Sequence, residues 1–282
     1  MTKRQLLLSV VIVWFSLFSA VAVFGGDNPY EQGESLDQAS SVLCPRLFQE
    51  YWRCCQSWTR IVPLTETGPA WDLAPDFQLT RDLTDLPRLG EILAIASFSL
   101  CGELYYHEHV WQYYQGTCEG WIRCIGPGLP GDWQGPFYLD GLPGTGVIQT
   151  LDIFVLGSYL HQSYWRNNVG YYRTIPFVGN TILWSSASPW TVMQIDDIGL
   201  PPGSSGDIQS HSSFVWNNFL YQGLWRGDEG FARKVPIVNN EVRWQDALDW
   251  SDPPIPLYLF PGCGSMQAQH DYVAHQPPPW WE

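Results

Sequence analysis

The chain has 282 residues, with 28 acidic and 14 basic side chains and a formal net charge of -14. Such a surface repels nucleic acid and anionic membranes, so neither is expected as a partner of the folded part.

At the N-terminus, Lys3 and Arg4 precede an apolar run from Leu6 to Phe24, and Ala20-Val-Ala22 has the small residues of a cleavage site. Residues 1–22 therefore read as a signal peptide. The run is also just long enough to span a bilayer, so a retained anchor stays open as the alternative. Either way the rest of the chain is exported to a secreted, periplasmic or cell-surface location. It meets a membrane only through an uncleaved N-terminal segment. Residues 23–45 form an arm without the repeated pattern that begins at residue 46.

From about residue 46 a block recurs four times. The first copy holds Trp52-Arg53, Trp58-Thr-Arg60-Ile-Val-Pro63, Trp71 and Phe77. The second runs from Gly90 to Phe98, then Trp111-Gln112, Arg123 and Trp133. In the third, Gly146 to Phe154 leads to Trp165-Arg166, Gly170-Tyr-Tyr-Arg173, Trp184 and Trp190. The fourth repeats this as Gly206 to Phe214, Trp225-Arg226, Gly230-Phe-Ala-Arg233, Trp244 and Trp250. The Trp-Arg positions 52, 111, 165 and 225 lie 59, 54 and 60 residues apart. A fixed period of this length is the mark of a repeat architecture.

Each unit predicts four short strands, because its segments are β-branched and aromatic and are bounded by Gly, Asn, Asp or Pro. Tight turns at Gly157-Ser158 and Asn217-Asn218 suit hairpins. Long Pro/Gly-rich links between units carry the chain from the outside of one sheet to the inside of the next. The predicted fold is all-β: a four-bladed β-propeller. The opening segment also occurs at Gly264–Val273, where no Trp-Arg block follows. We therefore expect the propeller to span residues 46–275 and to be closed by its C-terminal strand, which supplies the first blade's missing inner strand. Closure removes open edges. A division that puts each opening segment outside the preceding blade needs no closure, but fits the loop lengths less well.

The repeat resembles a β-propeller, similar in blade count to hemopexin-like domains and in aromatic richness to propeller lectins. The resemblance is architectural, covers about residues 46–275, and rests on no family-specific motif. It carries no function by itself.

Function must come from the repeated columns. Trp52, Trp111, Trp165 and Trp225 form one; Arg60, Arg123, Arg173 and Arg233 another; Gln49, Glu108, Gln162 and Gln222 a third. Trp and Arg recurring in every unit can be a structural cross-link between strands and blades. They can equally form repeated sugar sites, with Trp against apolar C–H faces and Arg, Gln or Glu to hydroxyls. Sixteen Trp and fourteen Tyr exceed what one core of this size needs. Glycan recognition through these columns is the leading expectation, with a glycan or an extracellular protein as partner and no cofactor. The alternative is a protein-interaction or assembly scaffold, for which the Pro/Trp tail at 276–282 could supply self-assembly. A glycoside hydrolase is a further alternative. It lacks paired carboxylates, since Glu108 is alone in its column and Gln149, Gln209 and Gln267, expected to line the channel, cannot act as acid or base.

His107 and His109 lie two apart on one strand, and His161 is the next unit's equivalent of His107; together they form a metal candidate. Seven cysteines in an exported chain predict disulfides with one left over. Cys44 and Cys263 flank the closure, Cys54 or Cys55 and Cys118 sit on equivalent hairpins, and Cys101 and Cys124 remain.

Overall fold

A computed structural model describes residues 45–53, 55–100, 105–194, 199, 206–251, 254–262 and 265–274. Blade 1 holds β1 (Arg46–Arg53), β2 (Gln56–Thr65), β3 (Gly68–Pro69) and β4 (Gln78–Asp82). Blade 2 holds β5 (Glu91–Leu100), β6 (Tyr105–Tyr114), β7 (Thr117–Gly126), β8 (Leu129–Pro130) and β9 (Gln134–Phe137). Blade 3 holds β10 (Ile148–Leu156), β11 (Tyr159–Arg166), β12 (Val169–Val178), β13 (Thr181–Ile182) and β14 (Thr191–Gln194). In blade 4 these are β15 (Ile208–Trp216), β16 (Phe219–Arg226), β17 (Glu229–Val238), β18 (Glu241–Val242) and β19 (Ile255–Pro256). The last strand is β20 (Ala268–Ala274).

The strand order closes the ring. β20 pairs antiparallel with β1, from Trp52 opposite Ala268 to Arg46 opposite Ala274, and so becomes the inner strand of blade 1. The inner strands β5, β10, β15 and β20 pack side by side around one axis. The protein is thus a four-bladed β-propeller sealed by its C-terminal strand. Each blade's outer edge is split rather than a single fourth strand. A two-residue leg pairs with one end of the third strand, and β4, β9, β14 or β19 pairs with the other. Between the two, Trp71, Trp184 and Trp244 open single 3-10 turns.

The turns follow from their residues. Asn167-Asn168, Asn217-Asn218 and Asn239-Asn240 all have positive φ, the conformation that a two-residue hairpin of type I′ requires and that Asn tolerates. Opposite the Trp column, a Cβ on Gly120, Gly170 or Gly230 would come within about 3 Å of the ring of Trp111, Trp165 or Trp225. The repeated Gly is therefore the floor on which the cross-strand indole lies flat.

Apolar packing sits between the blades as well as within them. Ala94, Ala96 and Phe98 of blade 2 pack with Leu151, Leu160 and Tyr164 of blade 3. Leu47 and Val62 of blade 1 pack with Phe214 and Tyr221 of blade 4. Within each blade a ring on the inner strand stacks on one from the next strand: Tyr272 on Phe48, Phe98 on His107, Phe154 on His161 and Phe214 on Tyr221, with centroids 4.7–5.3 Å apart.

Candidate functional site

The Trp column does not face solvent. Trp52, Trp165 and Trp225 are 0%, 1% and 3% exposed, and Trp111 is half-buried. The rings are packed between strands and blades instead of standing on the outer surface, and of the four Trp165 and Trp225 line cavities.

The Arg column forms a strut in every blade. The Nε atoms of Arg60, Arg123, Arg173 and Arg233 donate to Gln49, Glu108, Gln162 and Gln222 at 2.7–2.9 Å. Each guanidinium then lies 4.2–4.4 Å from the ring centre of Phe77, Trp133, Trp190 or Trp250. The cross-link reading accounts for these residues. Arg53, Arg166 and Arg226 follow the Trp column and bond the carbonyls of the link that precedes each inner strand. The inner-strand glutamines leave the channel too. Gln149 and Gln209 sit at the irregularity in each first strand pair and bond the hairpin turns at Asn168 and Asp228. Gln267 accepts from the Cys55 backbone N–H.

The metal candidates do not converge. His107 and His161 occupy the stacking position that Tyr221 fills in blade 4, while His109 meets Phe98 edge-on and Trp184 at 5.9 Å. Burial pushes His107 and His161 down to about 4 and His109 to about 3. No group of three His, Cys, Asp or Glu among the described residues could hold a metal ion. Cys55, Cys118 and Cys124 carry free thiols, so the bridge drawn from Cys118 is not formed. Cys44, Cys54, Cys101 and Cys263 lie outside the described residues, as do the leader, the arm up to residue 44 and the tail.

What distinguishes the blades is what fills the space between them. Three equivalent interfaces can be aligned through strand register. Between blades 1 and 2, Arg81 lies opposite Ser57 and fills the gap beneath Trp52. Its Nη2 bonds Glu50 and Glu108, each at 2.7 Å. Glu50 also accepts from Ser57, Trp52 Nε1 and the His270 ring. Against burial, Arg81 and its neighbours hold both carboxyls below their usual range.

The other two interfaces carry short or apolar residues at those positions. Met193 lies opposite Gly170, and Ile255 opposite Gly230, where Arg81 stands in blade 1. Ser163 and Gly223 precede their Trp by two, as Glu50 does. Cavities open in consequence. One of about 270 Å³ lies between blades 4 and 1, lined by Trp225, Ile255, Gln269, Asp271 and Trp71 among others. One of about 250 Å³ lies between blades 3 and 4, lined by Asp152, Ser163, Trp165, Tyr172, Met193, His211, Gln222, Arg233, Trp244 and Trp250 among others.

The two cavities differ in hydrogen bonding. In the first, Trp225 Nε1 donates to Gln269 Oε1 at 2.6 Å, and Gln269 and Gln49 both donate to Asp271. In the second, His211 stands where Gln269 stands, and neither Trp165 Nε1 nor His211 Nδ1 has a partner. Asp152 Oδ1 accepts from the Ser213 backbone N–H at 2.8 Å, but Oδ2 lies 3.7 Å from His211 Nδ1, beyond a hydrogen bond. Burial pushes the Asp152 carboxyl up to about 7, with Asp271 adding to the rise. At the rim, Trp244 leaves 47% of its surface exposed.

Of the predicted binding residues, Gln222 and Arg233 line both cavities, Trp165 the second and Trp225 the first. Trp52, Arg60, Glu108, Trp111, Arg123, Gln162 and Arg173 line neither. Asp152, Ser163, Tyr172, Met193, His211, Trp244 and Trp250 were not among the residues expected from sequence to bind. Their signal is the column Glu50, His109, Ser163, Gly223, in which long polar side chains give way to short ones.

The chain matches no protein-family model and no curated protein. Among solved structures it is similar to the alpha-L-arabinofuranosidase PaAbf62A from Podospora anserina in complex with cellotriose, at 13% identity and TM-score 0.37, covering 58% of this chain and 52% of that one. It is also similar to the catalytic domain of the Coprinopsis cinerea GH62 alpha-L-arabinofuranosidase, at 13% identity and TM-score 0.35, covering 56% and 50%. The chain spans about half the length of these structures. Among the described residues no helix is long and apolar enough to cross a membrane.

Proposed function

We propose that the chain is an exported carbohydrate-binding module and that the cavity between blades 3 and 4 is its sugar site. The observation that carries this is a buried cluster of polar atoms without partners, Trp165 Nε1 and His211 Nδ1 beside Asp152, in a cavity walled by aromatic rings. Buried polar groups are normally paired, so a group left open in a cavity of ligand size marks a place that a ligand completes. Tyr172, Trp244 and Trp250 offer flat apolar faces for the C–H side of a sugar ring. Of the columns first expected to bind sugar, Trp165, Gln222 and Arg233 line this cavity, and the other members hold the blades in place around it.

Trp244 separates binding from folding, because it is exposed while Trp165 is not. In Trp244→Ala we expect affinity for the best ligand of a glycan array to fall at least about tenfold, with stability changed by less than about 1 kcal/mol. Calorimetric titration and thermal denaturation of the purified protein measure both. An array that shows no bound carbohydrate, or an unchanged affinity in Trp244→Ala, defeats the proposal.

A second reading, hydrolysis of the bound glycan, is favoured by the buried carboxyls Asp152 and Asp271, both raised first by burial. It predicts release of reducing sugar by the native chain and none by Asp152→Asn.

A further inference from the structure

The cavity between blades 3 and 4 also carries information on the charge of its ligand. This deepens the carbohydrate reading and rests on it. The tautomer of His211 is fixed by its neighbours. Arg233 Nε–H donates to Gln222 Oε1 at 2.9 Å, so the amide nitrogen of Gln222 must point the other way. It lies 3.3 Å from His211 Nε2, and an amide nitrogen can only donate. His211 Nε2 is thereby the acceptor, which leaves the ring proton on Nδ1. Burial, with Arg233 nearby, pushes this imidazole down to about 3, so the ring is neutral.

His211 Nδ1–H therefore faces Asp152 Oδ2 across 3.7 Å, with Trp165 Nε1–H lining the same cavity. The gap is too wide for the two groups to satisfy each other. An oxygen roughly 2.8 Å from both fits it. That oxygen must accept from nitrogen and donate to Asp152, which a hydroxyl does and a carboxylate or an ammonium does not. A carboxylate can accept from His211 and Trp165 but sets its charge against Asp152 Oδ2. An ammonium can donate to Asp152 but turns its protons towards two N–H donors. Arg233, the one cation among the described lining residues, is already engaged by Gln222 and stacked on Trp250 at 4.3 Å.

We infer that the cavity selects an uncharged sugar ring, through the exocyclic hydroxyl seated between His211 Nδ1, Asp152 Oδ2 and Trp165 Nε1, and rejects the uronic acid whose carboxylate takes that hydroxyl's place. The cavity of about 250 Å³ suits a single monosaccharide unit. The net charge of -14 acts in the same direction on approach.

The test is calorimetric titration of the full chain at pH 8 with methyl hexosides and methyl pentosides, and with the matching methyl uronates. We expect at least one neutral glycoside to bind and its uronate to bind at least about tenfold more weakly. In Asp152→Asn, the amide oxygen keeps the Ser213 bond while the amide nitrogen replaces the acceptor. Neutral affinity should then fall about tenfold and the discrimination against the uronate should shrink. If wild-type protein binds the uronate as well as or better than the neutral glycoside, this inference fails while the carbohydrate reading stands. If neither these glycosides nor any array glycan binds, the carbohydrate reading fails and takes this inference with it. The wild-type comparison decides even if Asp152→Asn does not fold.

Discussion

Replacing Arg81 by Met destabilises the protein by about 3–5 kcal/mol, because it strands two buried carboxylates that share one cation. The side chains of Arg81, Glu50 and Glu108 are 1%, 4% and 0% exposed. Glu108 keeps Arg123 and Glu50 keeps the His270 ring, yet both lose the group that bridges blades 1 and 2. For a domain of this size the melting temperature should fall by roughly 10 °C. The decisive comparison is a triple variant, Glu50→Ser, Arg81→Met and Glu108→Gln. It installs at this interface the residue types that Ser163, Met193 and Gln222 supply between blades 3 and 4. Removing these three charges together leaves Arg123 bonded to a Gln, as Arg60, Arg173 and Arg233 are in the other blades, so the triple variant should regain most of the loss. A deficit of about 1–2 kcal/mol should remain, because Trp52 Nε1 loses its acceptor Glu50. A single Arg81→Met protein that melts like wild type would show that apolar packing alone holds these blades.

That comparison depends on knowing which positions are equivalent, and here sequence and structure divide the work unevenly. The ring was legible because its constraints recur. Gly170 and Gly230 are required beneath Trp165 and Trp225, Arg173 and Arg233 must reach a Gln and a Trp, and these requirements recur from blade to blade with Ser57 for the Gly and Phe77 for the Trp in blade 1 and Glu108 for the Gln in blade 2. Closure was legible for the opposite reason: Gly264–Val273 repeats an opening segment with no Trp-Arg block after it, and β20 does pair with β1. The function of the columns was not legible. Alternation places Trp165 and Ser163 on one face of β11, but cannot say that this face meets blade 4 rather than solvent. Recurrence itself misled, since what every blade needs is structure, and the candidate site lies where a column changes. Met193 in place of Arg81 looks like ordinary drift until register aligns the two strands.

His107 and His161 make the last expected result one of acid lability. Both are held in the neutral form with values pushed by burial to about 4, against an ordinary 6.5. His109 and His211 are pushed lower still, to about 3. The unfolded chain protonates all four as pH falls through 6.5, while the folded chain does not, so unfolding takes up protons and stability drops on acidification. Asp152 and Asp271 act with the opposite sign. Their folded values are raised from 3.8, so the stability they supply is present at low pH and lost as pH rises, for Asp152 through about 7. The two carboxyls offset at most two of the four histidines, so below pH 6.5 unfolding still takes up protons on balance and stability falls on acidification. The double variant His107→Tyr and His161→Tyr copies the Tyr221 of blade 4, which stacks on Phe214 at 4.9 Å. It keeps the ring in each stack and removes two of the protons taken up. Melting temperatures measured from pH 8 to pH 4.5 should fall steeply for the wild type and far less for the double variant. Parallel profiles would mean that these two histidines are protonated alike in the folded and unfolded chain.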